Sequence, residues 1–106
     1  MILEKVEKLK PKKFKRRFGV TKQTYILLVD IVKKYQSNKK KKTGRKPKLI
    51  IEEQVLVTLQ YLREYRSYFH ISEDWNVSES TVCRIVHKIE KIWIISGYFS
   101  LDRLFH

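Results

Sequence analysis

An all-α fold, a small helical bundle, is what this sequence predicts, on three observations. Apolar residues recur at steps of three and four in three stretches: Tyr25, Leu28, Val29 and Val32; Val55, Leu56, Leu59 and Leu62; and Val82, Ile85, Val86, Ile89 and Trp93. Residues whose hydroxyl can take a free backbone N–H of a first helical turn, Thr21, Ser67 and Ser78, stand ahead of helical segments. Pro11, Gly44, Pro47 and Gly97 interrupt the pattern between or after them.

A chain of 106 residues allows one small domain, or one domain plus an arm. A core of that size buries only about 60% of the unfolded surface. The net charge is +13, and it is unevenly spread. Residues 1–50 hold eighteen Lys and Arg against Glu4, Glu7 and Asp30, and residues 51–106 hold six against eight acids. A basic first half joined to a near-neutral, apolar-rich second half points to a polyanionic partner: DNA, RNA or an anionic membrane surface. Cys83 is the only cysteine, so no internal disulfide forms, which fits a reducing compartment. No apolar run approaches the ~18 residues of a bilayer span, and the N-terminus lacks a signal-peptide core. A cytoplasmic, nucleoid-associated protein with no membrane partner is the expectation.

In chain order, Ile2, Val6 and Leu9 predict a short helix before Pro11. Pro11 to Arg17 (PKKFKRR) reads as a solvated linker or as a phosphate-tracking segment. A helix follows over Thr21–Tyr35, with Val20 and Tyr25 at hydrophobic-staple spacing; Ile26 and Ile31 widen its apolar stripe and predict more than one neighbour. Gln36 to Lys48 is a linker by composition, with four consecutive lysines. Within it, Gly44-Arg45-Lys46-Pro47 reads first as flexible linker and second as an arm for the minor groove, with Arg45 and Lys46 on phosphate. The chain thus divides into a basic arm with one helix over 1–48 and a second unit over 49–106.

Ile51 to Tyr65 is the next helix, opened by Glu52 and Glu53. Tyr61 and Tyr65 are expected to cover its edge as core, not to stack on bases. Ser67 caps a short helix with Ile71 and Trp75 facing inward. Asn76 supplies a left-handed turn, Val77 tucks in, and Ser78 caps a helix running to about Ile95, with Gly97 past its end. Ile71, Trp75, Val77, Val82 and Ile85 fall where a helix-turn-helix unit places its core. The outer face of the second helix then carries Thr81, Arg84, Lys88 and Lys91.

That face predicts contact with double-stranded DNA, because a major groove admits a helix whose first turns meet base edges. Ser80, Thr81 and Arg84 are the expected base readers. Lys88 and Lys91 are expected on phosphates, with Ser67 and Tyr68 at the start of the preceding helix. Between Ser67 and Ile95 four acids outnumber three cations, so the basic first half must supply most non-specific affinity. An ordinary three-helix bundle with a solvated face has the same periodicity. Cys83 and His87 share a helix spacing, but zinc needs at least three protein ligands and no third has ligand spacing. No phosphate loop or nucleophile motif occurs. No cofactor, metal or small-molecule ligand is expected. Ile92 to Ile95 are apolar all round and predict burial against the tail, a second copy or another domain.

The lead-in Gly44 to Leu49, the block LREYRSYFHI from Leu62 and VSESTVCR from Val77 resemble the N-terminal helix-turn-helix domain of insertion-sequence transposases of the DDE superfamily endonuclease type. The resemblance covers roughly Gly19 to Phe99. It implies binding to the terminal inverted repeats of an element, ahead of an RNase H-like catalytic domain that holds three metal-binding acids. Ile50 stands where that family usually has a small polar cap. Asp30, Asp74 and Asp102 are scattered over an arm helix, a turn-flanking helix and a tail, which gives no ground for assuming the two-metal site whose carboxylates converge on ions ~4 Å apart. The expectation is a DNA-binding module without transposase activity, either a truncated copy or the first of two reading frames. A helical module that pairs with a full-length transposase, a homodimer, and a small transcriptional regulator are the alternatives.

Overall fold

A computed structural model of the chain describes residues 3–37, 49–64 and 67–97. Among them are six helices and no strand: α1 (Leu3–Glu7), α2 (Pro11–Phe18), α3 (Lys22–Ser37), α4 (Ile51–Glu64), α5 (Tyr68–Trp75) and α6 (Glu79–Ile95). The all-α bundle expected from the sequence is the fold observed.

Helix α4 is the centre of the bundle. It packs on α2, α3, α5 and α6. Its residues from Gln54 to Gln60 are all buried, on every side of the helix. The apolar stripe of Val55, Leu56 and Leu59 is therefore only part of what α4 buries; Leu62 is half-buried at its edge. Polar side chains on the other faces are buried with their partners: Gln54 Nε2 donates to the Leu49 carbonyl at 2.8 Å, and the Thr58 hydroxyl to the Gln54 carbonyl at 3.0 Å. Ile50 is not a polar cap, yet the helix start is closed from the other direction. The Ile50 N–H donates to Glu53 Oε1 at 3.1 Å, which is the reciprocal half of a capping box.

Helix α3 begins as predicted. The Thr24 N–H donates to Thr21 Oγ1 at 3.2 Å, and Tyr25, Leu28, Val29 and Val32 are buried. It packs on α2, α4 and α6, so the expectation of more than one neighbour holds. Ile26 does not serve that packing, because it is 63% exposed.

The stretch Pro11 to Arg17 is not a linker. It is helix α2, and Phe14 and Phe18 are buried in the same apolar cluster as the helices of the second half. Two features hid it. Pro11 stands at the helix start, where its missing N–H costs nothing, instead of breaking a helix. Five cations in eight residues also mask the i,i+4 pair Phe14 and Phe18, whose rings lie 5.0 Å apart, with Tyr25 5.4 Å from Phe14. Helix α2 is thus bound to the bundle through aromatic packing while its five cations are exposed. The linker expected from Gln36 lies outside the described residues beyond Ser37, as do Arg45, Lys46, Tyr65 and the tail from Tyr98.

Candidate nucleic-acid interface

The second half builds a helix-turn-helix from its caps inward. The Ser67 Oγ accepts the His70 N–H at 3.4 Å and lies 2.8 Å from His70 Nδ1, which starts α5. His70 is exposed and acts in this cap. The turn is Asn76-Val77-Ser78. Asn76 takes the left-handed conformation (φ 54°, ψ 49°), the only non-glycine among the described residues with positive φ. Asparagine pays less there than most L-residues because its short polar side chain can bond locally. The Val77 N–H returns to the Ser72 carbonyl at 3.0 Å, and Val77 is half-buried against the core. Ser78 then starts α6: its Oγ accepts the Thr81 N–H at 3.1 Å. Gly97, at φ 80°, follows the end of α6 as expected.

Packing decides how α6 is held. Val82, Ile85, Val86, Ile89, Ile92 and Trp93 are buried, and Trp93 Nε1 donates to the Leu28 carbonyl at 3.4 Å. The Trp93 end of α6 thus meets α3, while Ile95 is left 57% exposed. Helix α5 is fixed to α4 by a buried polar link. Gln60 donates to Asp74 Oδ2 at 2.8 Å and accepts from Trp75 Nε1 at 3.0 Å. Both bonds are buried or partly so, where an unmade partner is costly. Trp75 was legible from spacing as a core residue; its partner Gln60, fifteen residues earlier and on what reads as a polar face, was not.

The predicted site residues divide by position. Ser80, Arg84, Lys88 and Lys91 are exposed on α6. Thr81 is half-buried; its Oγ1 lies 2.8 Å from Ser78 Oγ, and Ser80 Oγ lies 3.1 Å from the same atom. A hydroxyl has one donor and two acceptor positions, so both retain capacity beyond the cap. Partial burial lowers the pKa of the Lys88 ammonium. Ser67 is exposed and engaged in its own cap. Tyr68 is half-buried and stacks on Tyr61 at 5.1 Å and 20°, so Tyr61 serves packing as expected. Burial first, and then Tyr61 and Cys83, hold the Tyr68 phenol well above its usual pKa. Arg45 and Lys46 lie outside the described residues.

Cys83 Sγ lies 3.3 Å from His87 Nδ1, and among the described residues no group of three His, Cys, Asp or Glu able to hold a metal is present. Asp30 pairs with Lys34 at 3.0 Å on α3, and Asp74 is held by Gln60 on α5. Among the described residues no helix is long and apolar enough to cross a membrane.

A family model, helix-turn-helix of DDE superfamily endonuclease, matches residues 47–99. This chain belongs to that family. The match spans α4, α5 and α6, the three helices whose caps and turn are described above. A curated relative, the probable transposase for insertion sequence element IS702 of Microchaete diplosiphon, is 57% identical over 101 residues. Those residues are 95% of this chain and 36% of that protein, so the chain spans little more than a third of the relative's length. The similarity to the relative therefore extends over α2 and α3 as well as over the helix-turn-helix itself. No solved structure matches the chain. The transposase-type helix-turn-helix is thus both a geometry and a family assignment.

Proposed function

We propose that this chain is a sequence-specific double-stranded DNA-binding module that recognises the terminal inverted repeats of an insertion element. The observation that carries the reading is the outer face of α6. Arg84, Lys88 and Lys91 stand exposed at steps of four and three behind a capped, polar first turn, while the opposite face of the helix is sealed into the bundle. A helix presented in this way fits a major groove. Arg84 reads a guanine edge, with Ser80 and Thr81 beside it in the first turn. Lys88 and Lys91 bind phosphates further along. Ser67 and the Tyr68 phenol meet the backbone at the start of α5, and Arg45 and Lys46 meet it from the lysine-rich stretch. The relative is named a probable transposase; in this reading the present residues supply recognition, and the chemistry of transposition lies outside them. Pairing with a second copy or with a full-length transposase would use the exposed Ile95 end of α6, and sedimentation with and without DNA tests it.

The decisive test compares duplexes carrying the element end with shuffled duplexes of equal length. The chain is expected to prefer the end sequence at physiological salt. Arg84→Ala is expected to lower that affinity by roughly ten-fold or more and to leave shuffled DNA nearly unaffected. Equal affinity of the unaltered chain for both duplexes would remove the reading.

A further inference from the structure

Among the described residues, helix α2 carries the densest run of charge. Lys12, Lys13, Lys15, Arg16 and Arg17 are all exposed, while Phe14 and Phe18 hold the helix down. Arg63 of α4 joins them. Gly19, at φ 80°, ends α2, and a Cβ there would lie 2.8 Å from Arg63 Cδ. The glycine therefore does two things: it adopts the left-handed cap, and it leaves room for the Arg63 stem to lie across the end of α2. Two adjoining open depressions result, of about 490 and 600 Å³, and both are lined by Arg16 and Arg63. Among the described residues no acid lines either one. Among the described residues, none of these six cations is within ion-pair distance of a carboxylate.

Helix stability accounts for only part of this pattern. Lys15, Arg16 and Arg17 sit in the last turn, where cations offset the negative end of the dipole. Lys12 and Lys13 sit in the first turn, where the dipole is positive and cations are unfavourable. The bundle thus holds six like charges together, two of them against the helix dipole, around two open depressions. A polyanion laid across them relieves that repulsion and releases its own counterions.

We infer that the α2–Arg63 face is a second DNA-contacting surface, which grips the sugar–phosphate backbone of the same duplex that α6 reads. This rests on the proposed function, and it separates the two tasks: α6 selects the sequence, and α2 with Arg63 supplies affinity without selecting. Arg63 lies in the last turn of α4, four positions before Ser67, the cap of α5.

The test is a salt titration of binding to the end-repeat duplex and to a shuffled duplex, using the full chain and a variant with Arg16→Gln, Arg17→Gln and Arg63→Gln. These side chains are exposed, so the melting temperature should be retained, and measuring it guards against misfolding. Loss of three phosphate contacts lowers the slope of log K against log salt by about 0.9 for each. The advantage of the unaltered chain over the variant should then shrink by ~40-fold between 50 and 200 mM salt, equally on both duplexes. An unchanged slope would overturn the inference, and it would leave the α6 reading standing if Arg84→Ala still relaxes preference in parallel. A change in preference without a change in slope would also overturn it, because that is the signature of base reading. A slope change seen only with single-stranded RNA would assign the face to a different polyanion and overturn it as well.

Discussion

Helix α2 carries five cations and no acid in eight residues; helix α6 carries three cations and two acids in seventeen. Both are amphipathic, and both bury their apolar face in one cluster. They differ in how the exposed face is prepared. The start of α6 has a side-chain cap, a turn of defined conformation and a polar link behind it through α5 and α4. The start of α2 has no side-chain cap hydrogen bond, only Pro11. On the proposed reading the contrast is functional. Selecting a base pair needs a side chain held in one place, so precision is invested in α6. Attracting phosphate needs charge and tolerates loose placement, so charge is concentrated on α2.

The comparison can be broken most strongly at the support of the helix-turn-helix. Gln60→Ala removes both bonds to α5 and leaves the buried Trp75 N–H without its partner. A loss of about 2–4 kcal/mol is expected in denaturant unfolding. Near its melting point this variant should lose preference for end-repeat DNA before it loses binding to shuffled DNA, because the α2 face does not depend on α5. Simultaneous loss of both would show that the two faces form one cooperative surface.

Arg84→Ala sharpens the same contrast, at about 1–3 kcal/mol of binding free energy on the end repeat and little on shuffled DNA. Next in size is the turn. Asn76→Ala should cost about 1–2 kcal/mol of stability for the left-handed backbone, whereas Asn76→Gly should be near neutral. If both behave alike in thermal melts, the turn conformation is not what sets α6 in place.

The smallest effect concerns Glu90, one of the two acids that dilute the charge of α6. Burial raises its carboxyl pKa, and His87 opposes the rise. A raised folded-state pKa favours the protonated form. Its stabilising contribution is therefore full below the unfolded value and is lost as pH rises through the folded one. Glu90→Gln should raise the melting temperature at pH 7 and change it little near about pH 3.5. An equal gain at both pH values would point to packing, not charge.

Much of the second half was legible in the sequence. Ser67, Asn76, Ser78 and Gly97 act locally: each side chain or backbone preference bears on atoms a few residues away, so their roles follow from residue type and position. The same holds for Ile71, Trp75, Val82 and Ile85, whose helical spacing alone marks a buried face. Arg84, Lys88 and Lys91 followed as the complement of that face. Helix α2 was missed because its two phenylalanines are too few to outweigh five cations in any local measure. Only contact with Tyr25 and α4 makes them a core.

By itself, the sequence determined the helical class, the turn and caps of the helix-turn-helix and the side of α6 that stays wet, because these depend on short-range geometry. The tertiary structure alone decided that α4 is buried on every side, that Gln60 joins Trp75 to Asp74, and that Arg63 crosses Gly19 to join the cations of α2. Those outcomes depend on which surfaces meet across many residues of chain. Helical periodicity states that a face must be covered, but not by what.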